Sequence, residues 1–235
     1  FIFIIFGAVL ETTGAGAVLL RIAISVTGGM RGGPANAAIA ASGVFGTISG
    51  SVSANVVGTG VFTIPMIKER GFKNSFAGGV EAAASSGGQF MPPVMGAVAF
   101  VMADVTGIPY LVIIGAALVP ALFYYASLFV AVRVEAARLG IEPIPKEERQ
   151  KVSRQDWKLS LMFVIPIFVI IGVLITGRSP AMAGLWATIV GAGLGLMNSE
   201  VRKRPQVYIE ALARGGEQCG RIMVAVAAIG IIVGI

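Results

Sequence analysis

Long hydrophobic runs alternate with short polar loops along most of the chain, and these loops are rich in Lys and Arg. The runs at 110–132, 159–176 and 181–197 are each long enough to cross a hydrocarbon core about 30 Å thick as a helix. The pattern therefore predicts an all-α polytopic membrane protein.

The polar intervals divide the chain into eight predicted segments. These are a span with a cytoplasmic turn (1–30), a re-entrant hairpin with a cytoplasmic turn (31–74), a discontinuous helix with an external loop (75–109), a transmembrane helix (110–132), a cytoplasmic connector (133–158), two transmembrane helices (159–197), a basic loop with an interfacial amphipathic segment (198–221) and the start of a further transmembrane helix (222–235).

The apolar segment from Pro34 to Pro65 has the small and polar centre TISGSVSAN, which is a poor membrane helix. Arg31 precedes the segment and Lys68 follows it, so the positive-inside rule places both of its ends in the cytoplasm. About 32 residues form roughly 48 Å of helix, which is too short for two crossings but long enough for two arms of about 20 Å. The pattern predicts a re-entrant helical hairpin with its tip at 49–55.

A second apolar segment, from Ser75 to Met102, is interrupted by the sequence SSGGQ (85–89) and then by Pro92 and Pro93. Gly relaxes the backbone and Pro removes a donor, so the helix should break here and leave carbonyl and amide groups unpaired. In secondary transporters, ends of broken helices bind substrate and coupling ion. Neutral hydroxyl and carbonyl oxygens suit a small monovalent cation. The two broken segments indicate a transport function.

Composition supports the membrane assignment, because 56% of the residues are hydrophobic and 13% are charged, with a mean hydropathy of +0.86. The net charge of +6 comes from basic residues in loops beside the spans, where they set orientation, so we exclude nucleic-acid binding. The chain has no initiator Met and stops inside an apolar run, and we expect it to be part of a longer protein.

The residue types also argue against an enzyme. With no His and one Cys, the usual zinc sites, His-based triads and internal disulfides are absent from the sequence. Neither broken segment contains a pair of carboxylates. We expect no catalytic residues.

Two carboxylates lie within the predicted spans, Glu11 in the first and Glu81 in the first half of the discontinuous helix. A carboxylate at the centre of a membrane helix costs about 2.5–3.5 kcal/mol on insertion scales, so both should face protein or water. Glu11 either pairs with a neighbouring helix, lies near the interface or has a functional role. Glu81 either touches the ion or substrate region or pairs locally.

The stretch GGPANAAIAASGVFGTISGSVSANVVGTGVFTIPMIKERGF (32–72), followed by AGGVEAAASSGGQFMPPVMGAVAFVMADVTGIPY (77–110), closely resembles the large membrane subunit of tripartite ATP-independent periplasmic (TRAP) transporters. The likeness is strong over residues 1–145 and loose beyond them. It is greatest to the form in which small and large subunits are fused and a TAXI-type binding protein delivers the solute. The chain would be the N-terminal half of the large subunit.

Membership of that family implies a Na⁺-driven importer of organic acid anions with an elevator-type fold, located as a multi-pass protein in the cytoplasmic (inner) membrane of a bacterium or archaeon. The expected partners are a periplasmic TAXI-type solute-binding protein, a small membrane subunit fused in the full chain, the organic anion and the lipid bilayer. The hairpin and discontinuous helix would form the first of two inverted repeats, so this chain would hold half of the substrate site.

The resemblance also implies a Na⁺ site between the hairpin tip and the helix break, with Na⁺ as the coupling ion and no organic cofactor. The implied ligands are Ser49, Ser51 and Asn55 from the hairpin and Ser85, Ser86, Gly87 and Gln89 from the broken helix, with Gly acting through its carbonyl. The substrate is expected near Ser51, Asn55, Gln89 and Pro92, and its identity stays open. An ion or solute channel built on a re-entrant hairpin is the alternative function, because the hairpin tip alone would permit it.

Overall fold

A computed structural model of the chain describes residues 2–145 and 152–233. Within these residues every regular element is a helix, which confirms the all-α prediction. The helices are α1 (Ile2–Thr12), α2 (Ala15–Thr27), α3 (Gly33–Ser49), α4 (Val52–Glu69), α5 (Asn74–Gly87), α6 (Ala97–Thr106), α7 (Tyr110–Arg138), α8 (Arg154–Ile175), α9 (Pro180–Gly195), α10 (Ser199–Lys203) and α11 (Gln206–Val233). Among the described helices, α7 and α8 are long and apolar enough to cross a membrane.

The first broken segment forms a pair of helices, α3 and α4, that meet at Gly50 and Ser51. Gly50 has a φ of 55°, a left-handed conformation that Gly adopts without steric cost. The Ser51 hydroxyl oxygen then accepts a hydrogen bond from the Ala54 amide at 3.3 Å and caps α4. The interruption lies at the predicted hairpin tip, and α4 runs through Pro65 to Glu69. The depth of this tip in a membrane stays a prediction.

The second broken segment ends its first helix, α5, at Gly87 and resumes as α6 at Ala97. The loop between them, residues 88–96, contains the two prolines, joined by a cis peptide bond. Neither proline can supply the amide that would continue the α-helical ladder. The discontinuous helix therefore breaks where the sequence predicts it to break.

Other boundaries differ from the predicted ones. The first predicted span is two helices, because the chain turns at Gly14, whose φ is 80°. Helix α7 continues past residue 132 to Arg138, which forms an ion pair with Glu135 at 3.2 Å, one helical turn away. Helix α11 runs unbroken through the predicted boundary at 222, because residues 206–221 contain no Pro to separate the amphipathic part from the apolar part. Parts of the predicted connector (146–151) and of the chain ends (1 and 234–235) lie outside the described residues.

The chain divides into two compact units. One comprises the chain up to Thr13 and from Met162 onward, and within it α1 packs against α9 and α11. Gly184 lets α9 approach α1 closely, since a Cβ there would lie 2.6 Å from Ile2 Cγ2. Phe6 is fully buried within this unit.

The second unit runs from Gly14 to Leu161 and contains both broken segments. Helix α3 is its centre and contacts α2, α4, α5 and α7. Most of α3 is buried, and its residues are mainly Ala, Gly and Ser, so neighbouring backbones approach it closely. Larger apolar side chains fill the surrounding core, among them Ile39, Ile67, Phe72 and Val132.

A close backbone crossing in this unit joins α3 to the start of the loop after α5. A Cβ on Gly46 would lie 2.4 Å from Gly88 Cα, and a Cβ on Gly88 would lie 2.6 Å from Gly46 Cα. Real Cβ atoms do not make contacts this short, and the neighbouring atom is backbone that has no rotamer to change. The crossing therefore requires Gly in both broken segments, at position 46 in the first and at position 88 in the second.

We predict that Gly46→Ala destabilises the fold by about 1–3 kcal/mol, because the added methyl overpacks the crossing with Gly88. The matched control is Gly79→Ala in α5, where a Cβ would meet no atom within 4 Å. Alanine favours helix formation over glycine, so the control should be neutral or stabilising. Thermal unfolding of the purified full-length protein in detergent measures both. An unfolding midpoint for Gly46→Ala at or above that of the parent would contradict the crossing.

Candidate functional site

The two chain interruptions meet in the second unit through backbone contacts. The Val94 amide donates a hydrogen bond to the Thr47 carbonyl at 3.1 Å, which joins the loop 88–96 to the last turns of α3. At the hairpin tip, a Cβ on Gly50 would lie 2.2 Å from the Met95 carbonyl oxygen. The Gln89 carbonyl accepts from the Gly96 amide at 2.6 Å and closes the loop on itself. The hairpin tip is therefore packed directly against the helix break.

This packing brings helix ends of both signs into one region. Helices α3 and α5 end there, at Ser49 and Gly87, and α4 and α6 begin there, at Val52 and Ala97. The C-terminal end of a helix carries a partial negative charge and the N-terminal end a partial positive charge. The region thus offers carbonyl oxygens to a cation and amide groups to an anion, and neither the carbonyls nor the amides carry a formal charge.

The hairpin residues predicted as ligands have different surroundings. The Ser49 hydroxyl oxygen is buried and has no hydrogen-bond partner among the described residues. The Ser51 oxygen caps α4, as described above. Asn55 is fully buried at the crossing of Gly46 with Gly88, and its amide group donates to the Ser42 carbonyl at 2.8 Å. Ser49 Oγ therefore has its full hydrogen-bonding capacity available, and the side-chain oxygen of Asn55, which lies 3.4 Å from Thr59 Oγ1, keeps a lone pair to accept.

The predicted ligands from the broken helix are spread over its last turn. The Ser85 hydroxyl donates to Glu81 at 3.2 Å, and the Ser86 hydroxyl donates to the Ala82 carbonyl at 2.8 Å. Gly87 is buried, and a Cβ there would lie 2.7 Å from the Tyr124 ring, so its packing alone requires Gly. The side chain of Gln89 is exposed.

Pro92, named with Ser51, Asn55 and Gln89 as a neighbour of the substrate, is half-buried in the loop. The structure thus places the hairpin residues and the broken-helix residues on the two sides of one backbone contact. The described contacts between the tips run through the backbone rather than through serine side chains.

Glu81 is fully buried, and its carboxylate accepts hydrogen bonds from hydroxyl groups on three helices. Ser42 in α3 donates to Oε1 at 3.0 Å, and Thr59 in α4 lies 2.5 Å from the same oxygen. Thr63, one turn further along α4, donates to Oε2. Ser85, one turn further along α5, completes the group, which we call the Glu81 cluster: Glu81, Ser42, Thr59, Thr63 and Ser85.

The Glu81 cluster joins α3, α4 and α5, and the sequence prediction did not contain it. Residues 55, 59 and 63 follow a four-residue spacing along α4, and residues 81 and 85 follow the same spacing along α5. Such spacing places side chains on one helix face. This periodicity is the signal in the sequence that points to the cluster. Glu11, half-buried near the end of α1, belongs to the other unit and has no assigned role.

Three tyrosines of α7 hold the broken helix by its carbonyl groups. Tyr124 donates to the Ala83 carbonyl at 2.9 Å, and Tyr125 donates to the Ala84 carbonyl at 2.8 Å. Tyr110 lies 3.2 Å from the Pro93 carbonyl oxygen and also bonds the carbonyl of Val94. The last turn of α5 and the loop that follows it are thus both attached to one long helix.

In comparisons with known proteins, residues 1–235 match the family model described as "Tripartite ATP-independent periplasmic transporter, DctM component". Over 217 residues the chain is 27% identical to the C4-dicarboxylate TRAP transporter large permease protein DctM of Pseudomonas aeruginosa. The matched region covers 89% of this chain and 49% of that protein. The relatives are permeases, in agreement with the prediction that the chain is not an enzyme.

Two further relatives have different named substrates. The sialic acid TRAP transporter large permease protein SiaM of Vibrio cholerae is 26% identical over 194 residues, 80% of this chain and 45% of that protein. The ectoine/5-hydroxyectoine TRAP transporter large permease protein UehC of Ruegeria pomeroyi is 28% identical over 191 residues, 79% of this chain and 44% of that protein. The chain spans about half the length of the curated relatives it matches.

We predict that Tyr125→Phe destabilises the fold by about 1–3 kcal/mol, because it leaves a buried carbonyl without a donor. The amide of Gly88, which would bond the Ala84 carbonyl in a continued helix, turns to Ser85 instead. Tyr124→Phe is the matched control: Gly87 is still helical, so its amide can bond the Ala83 carbonyl, and the loss should be smaller. Thermal unfolding measures both, and equal losses would contradict this account of the break.

Proposed function

The chain belongs to the DctM component family of tripartite ATP-independent periplasmic transporters, and from this premise we propose that it is the permease part of a secondary transporter that imports an organic acid anion. Two helices long and apolar enough to cross a membrane and two broken helices that meet at their interruptions support the proposal. Helix ends of this kind bind solutes and ions in membrane transporters. The protein would act in the cytoplasmic membrane.

The proposed coupling ion is Na⁺, held between the hairpin tip and the helix break. The observation that carries this part is Ser49 Oγ, a buried hydroxyl oxygen with no partner among the described residues, at the C-terminal end of α3. Buried polar atoms in proteins are rarely left unpaired, and a bound cation would supply the missing partner of Ser49 Oγ. The carbonyl oxygens at the ends of α3 and α5, with Asn55 Oδ1 and the hydroxyl of Ser85, would complete the set of neutral ligands. Ser51, Ser86 and Gln89 stay in the proposal as the outer members.

The proposed substrate position follows from the N-terminal ends of α4 and α6. The N-terminal ends of α4 and α6 carry a partial positive charge, which attracts a carboxylate. These ends lie beside Ser51 and the loop that contains Gln89 and Pro92. The substrates named for the three relatives reported above, C4-dicarboxylates, sialic acid and ectoine, each carry a carboxylate group, and isethionate, named for a further relative, carries a sulfonate. We therefore propose a carboxylate-bearing solute and leave its identity to experiment.

The proposed mechanism includes partners outside this chain. A periplasmic solute-binding protein of the TAXI type would deliver the anion, and a small membrane subunit fused in the full chain would complete the permease. A mobile domain would carry solute and ion across the membrane as an elevator. These parts rest on the resemblance of residues 32–72 and 77–110 to the family. Inward Na⁺ flow gains about 2.3 kcal/mol per charge for each 100 mV of inside-negative potential, which would drive uptake.

We predict effects of opposite sign for Ser49→Ala. In Na⁺-free buffer the variant should unfold at the same temperature as the parent or higher, because the change removes a buried hydroxyl that lacks a partner. With Na⁺ present it should lose stabilisation, and the Na⁺ concentration for half-maximal uptake should rise by about tenfold, the loss of one good ligand interaction of roughly 1.4 kcal/mol. Thermal unfolding and uptake in proteoliposomes across a Na⁺ titration measure the two effects.

Ser53→Ala is the control for this experiment, because Ser53 lies in the same hairpin and its side chain is exposed. Its Na⁺ dependence should equal that of the parent. If Ser49→Ala leaves the Na⁺ dependence unchanged, Ser49 is not a ligand. If the parent itself takes up solute at the same rate without Na⁺, the ion coupling is refuted.

We further predict that uptake by the full-length protein saturates with solute and requires the solute-loaded binding protein on the outer face. A carrier that closes around each solute has a limited turnover, whereas a channel passes solute without a delivery partner. The measurement follows uptake of radiolabelled solute into proteoliposomes loaded with Na⁺-free buffer. It compares uptake with and without the binding protein. Unsaturated flux in the absence of the binding protein would favour the channel.

A further inference from the structure

Glu81 is not among the proposed ligands of the cation, although its position is unusual. Its side chain is 0% exposed, and its carboxylate lies among hydroxyl groups of α3, α4 and α5. No Lys or Arg among the described residues forms an ion pair with it, whereas Asp156, Glu135 and Glu210 each pair with an Arg. A buried carboxylate without a cationic partner is expensive, and proteins retain such groups for a reason.

We propose that Glu81 is a positioning residue for the cation site, which orients the Ser85 and Asn55 ligands and supplies the negative charge that balances the bound ion. This inference rests on the proposed function, because it concerns the same Na⁺ site. It adds a formal charge to a site whose proposed ligands are all neutral.

The effect on Ser85 follows from the single hydrogen of its hydroxyl group. That hydrogen is donated to Glu81 Oε1 at 3.2 Å, which leaves the lone pairs of the oxygen for a cation. A carboxylate that accepts from a ligand also raises the basicity of that ligand and fixes its orientation. Without Glu81 the hydroxyl would turn to a carbonyl of its own helix, as the neighbouring Ser86 does with Ala82.

The effect on Asn55 runs through two members of the Glu81 cluster. Thr59 Oγ1 lies 2.5 Å from Glu81 Oε1 and 3.4 Å from Asn55 Oδ1, the side-chain oxygen proposed as a ligand. Ser42 donates its hydroxyl to Glu81, and its backbone carbonyl accepts from the Asn55 side chain at 2.8 Å. Both arms of the hairpin are thus tied to α5 at one carboxylate. Removing Glu81 would loosen Asn55 at the crossing of α3 with the helix break.

The charge of Glu81 complements that of the site. Hydrogen bonds from the cluster hydroxyls offset part of the desolvation of the carboxylate, at about 1.5–3 kcal/mol for each bond to a charged group. A cation at the nearby ends of α3 and α5 would offset more, since charges interact strongly where water is excluded. The ion and the carboxylate would each lower the cost of burying the other. The cation would therefore bind more tightly than neutral oxygens alone permit.

The test measures Na⁺-dependent thermal stabilisation of the purified full-length transporter in detergent, with choline chloride keeping the ionic strength constant. For Glu81→Gln, which keeps the size of the side chain and removes its charge, we expect the half-maximal Na⁺ concentration to rise by about tenfold or more, as for loss of a group that supports metal ligands. The matched control is Glu69→Gln at the exposed end of α4, which should match the parent.

The outcomes separate the two proposals. A normal Na⁺ response in the parent with an unchanged midpoint in Glu81→Gln would overturn the role of Glu81 and leave the Na⁺ site standing. A parent that shows no Na⁺ response would overturn the Na⁺ site, and the role of Glu81 with it. A purely structural Glu81 would lower the unfolding temperature in choline alone and leave the Na⁺ midpoint in place, which also overturns the proposal.

Thr63 provides a second test if Glu81→Gln does not fold. Its hydroxyl donates to Glu81 Oε2, and it is not among the proposed ion ligands. Thr63→Val keeps the shape of the side chain but lets the carboxylate turn away from Ser85, so we expect the Na⁺ midpoint to rise by about threefold, roughly half the effect of one hydrogen bond to a charged group. Thr63→Ser restores the donor and should restore the midpoint. Equal midpoints for Thr63→Val and the parent would overturn the proposal.

Discussion

The close backbone contact between Gly46 and Gly88 is the constraint on which the candidate site depends. Two helices that end in the same region can offer their carbonyl oxygens to one ion only if their backbones approach within a few ångströms, and any side chain at the crossing would hold them apart. The hydrogen bond between Thr47 and Val94 and the contact of Gly50 with Met95 continue the same approach toward the hairpin tip. The absence of side chains at Gly46, Gly50 and Gly88 is thus what brings the two interruptions together.

Polar side chains then fix the geometry that the glycines permit. The Glu81 cluster ties α3, α4 and α5 to one carboxylate, and Tyr124 and Tyr125 tie the last turn of α5 to α7. In an apolar surrounding an unpaired polar group is costly, so each of these bonds strongly favours one arrangement of the helices. Close packing decides how near the helices come, and the buried hydrogen bonds decide their register.

The sequence alone predicted the parts of the fold that follow from local chain chemistry. Gly50 and the adjacent prolines Pro92 and Pro93 favour a break in a helix, and both interruptions lie where the sequence placed them. The extent of α7 and α11 was not predictable in the same way, because the prediction used hydropathy to set the boundaries, and charged residues such as Arg138 continue a helix as readily as Leu does.

The side-chain partners of the candidate site were harder to predict than its location. Ser49 and Ser85 were both named as ligands, yet the structure leaves one without a partner and directs the other to Glu81. Which hydroxyl faces which neighbour depends on the rotation of α3, α4 and α5 about their axes, and contacts far apart in sequence set that rotation. The four-residue spacing of residues 55, 59 and 63 indicated a shared face but not what that face would meet.

The attachment of the broken helix to α7 has a consequence for how the site responds to its surroundings. The hydroxyl groups of Tyr110, Tyr124 and Tyr125 and the carbonyls they contact are all neutral. Neutral bonds are little affected by ionic strength and carry no charge through an electric field. The loop between α5 and α6 should therefore keep its place when salt or voltage changes.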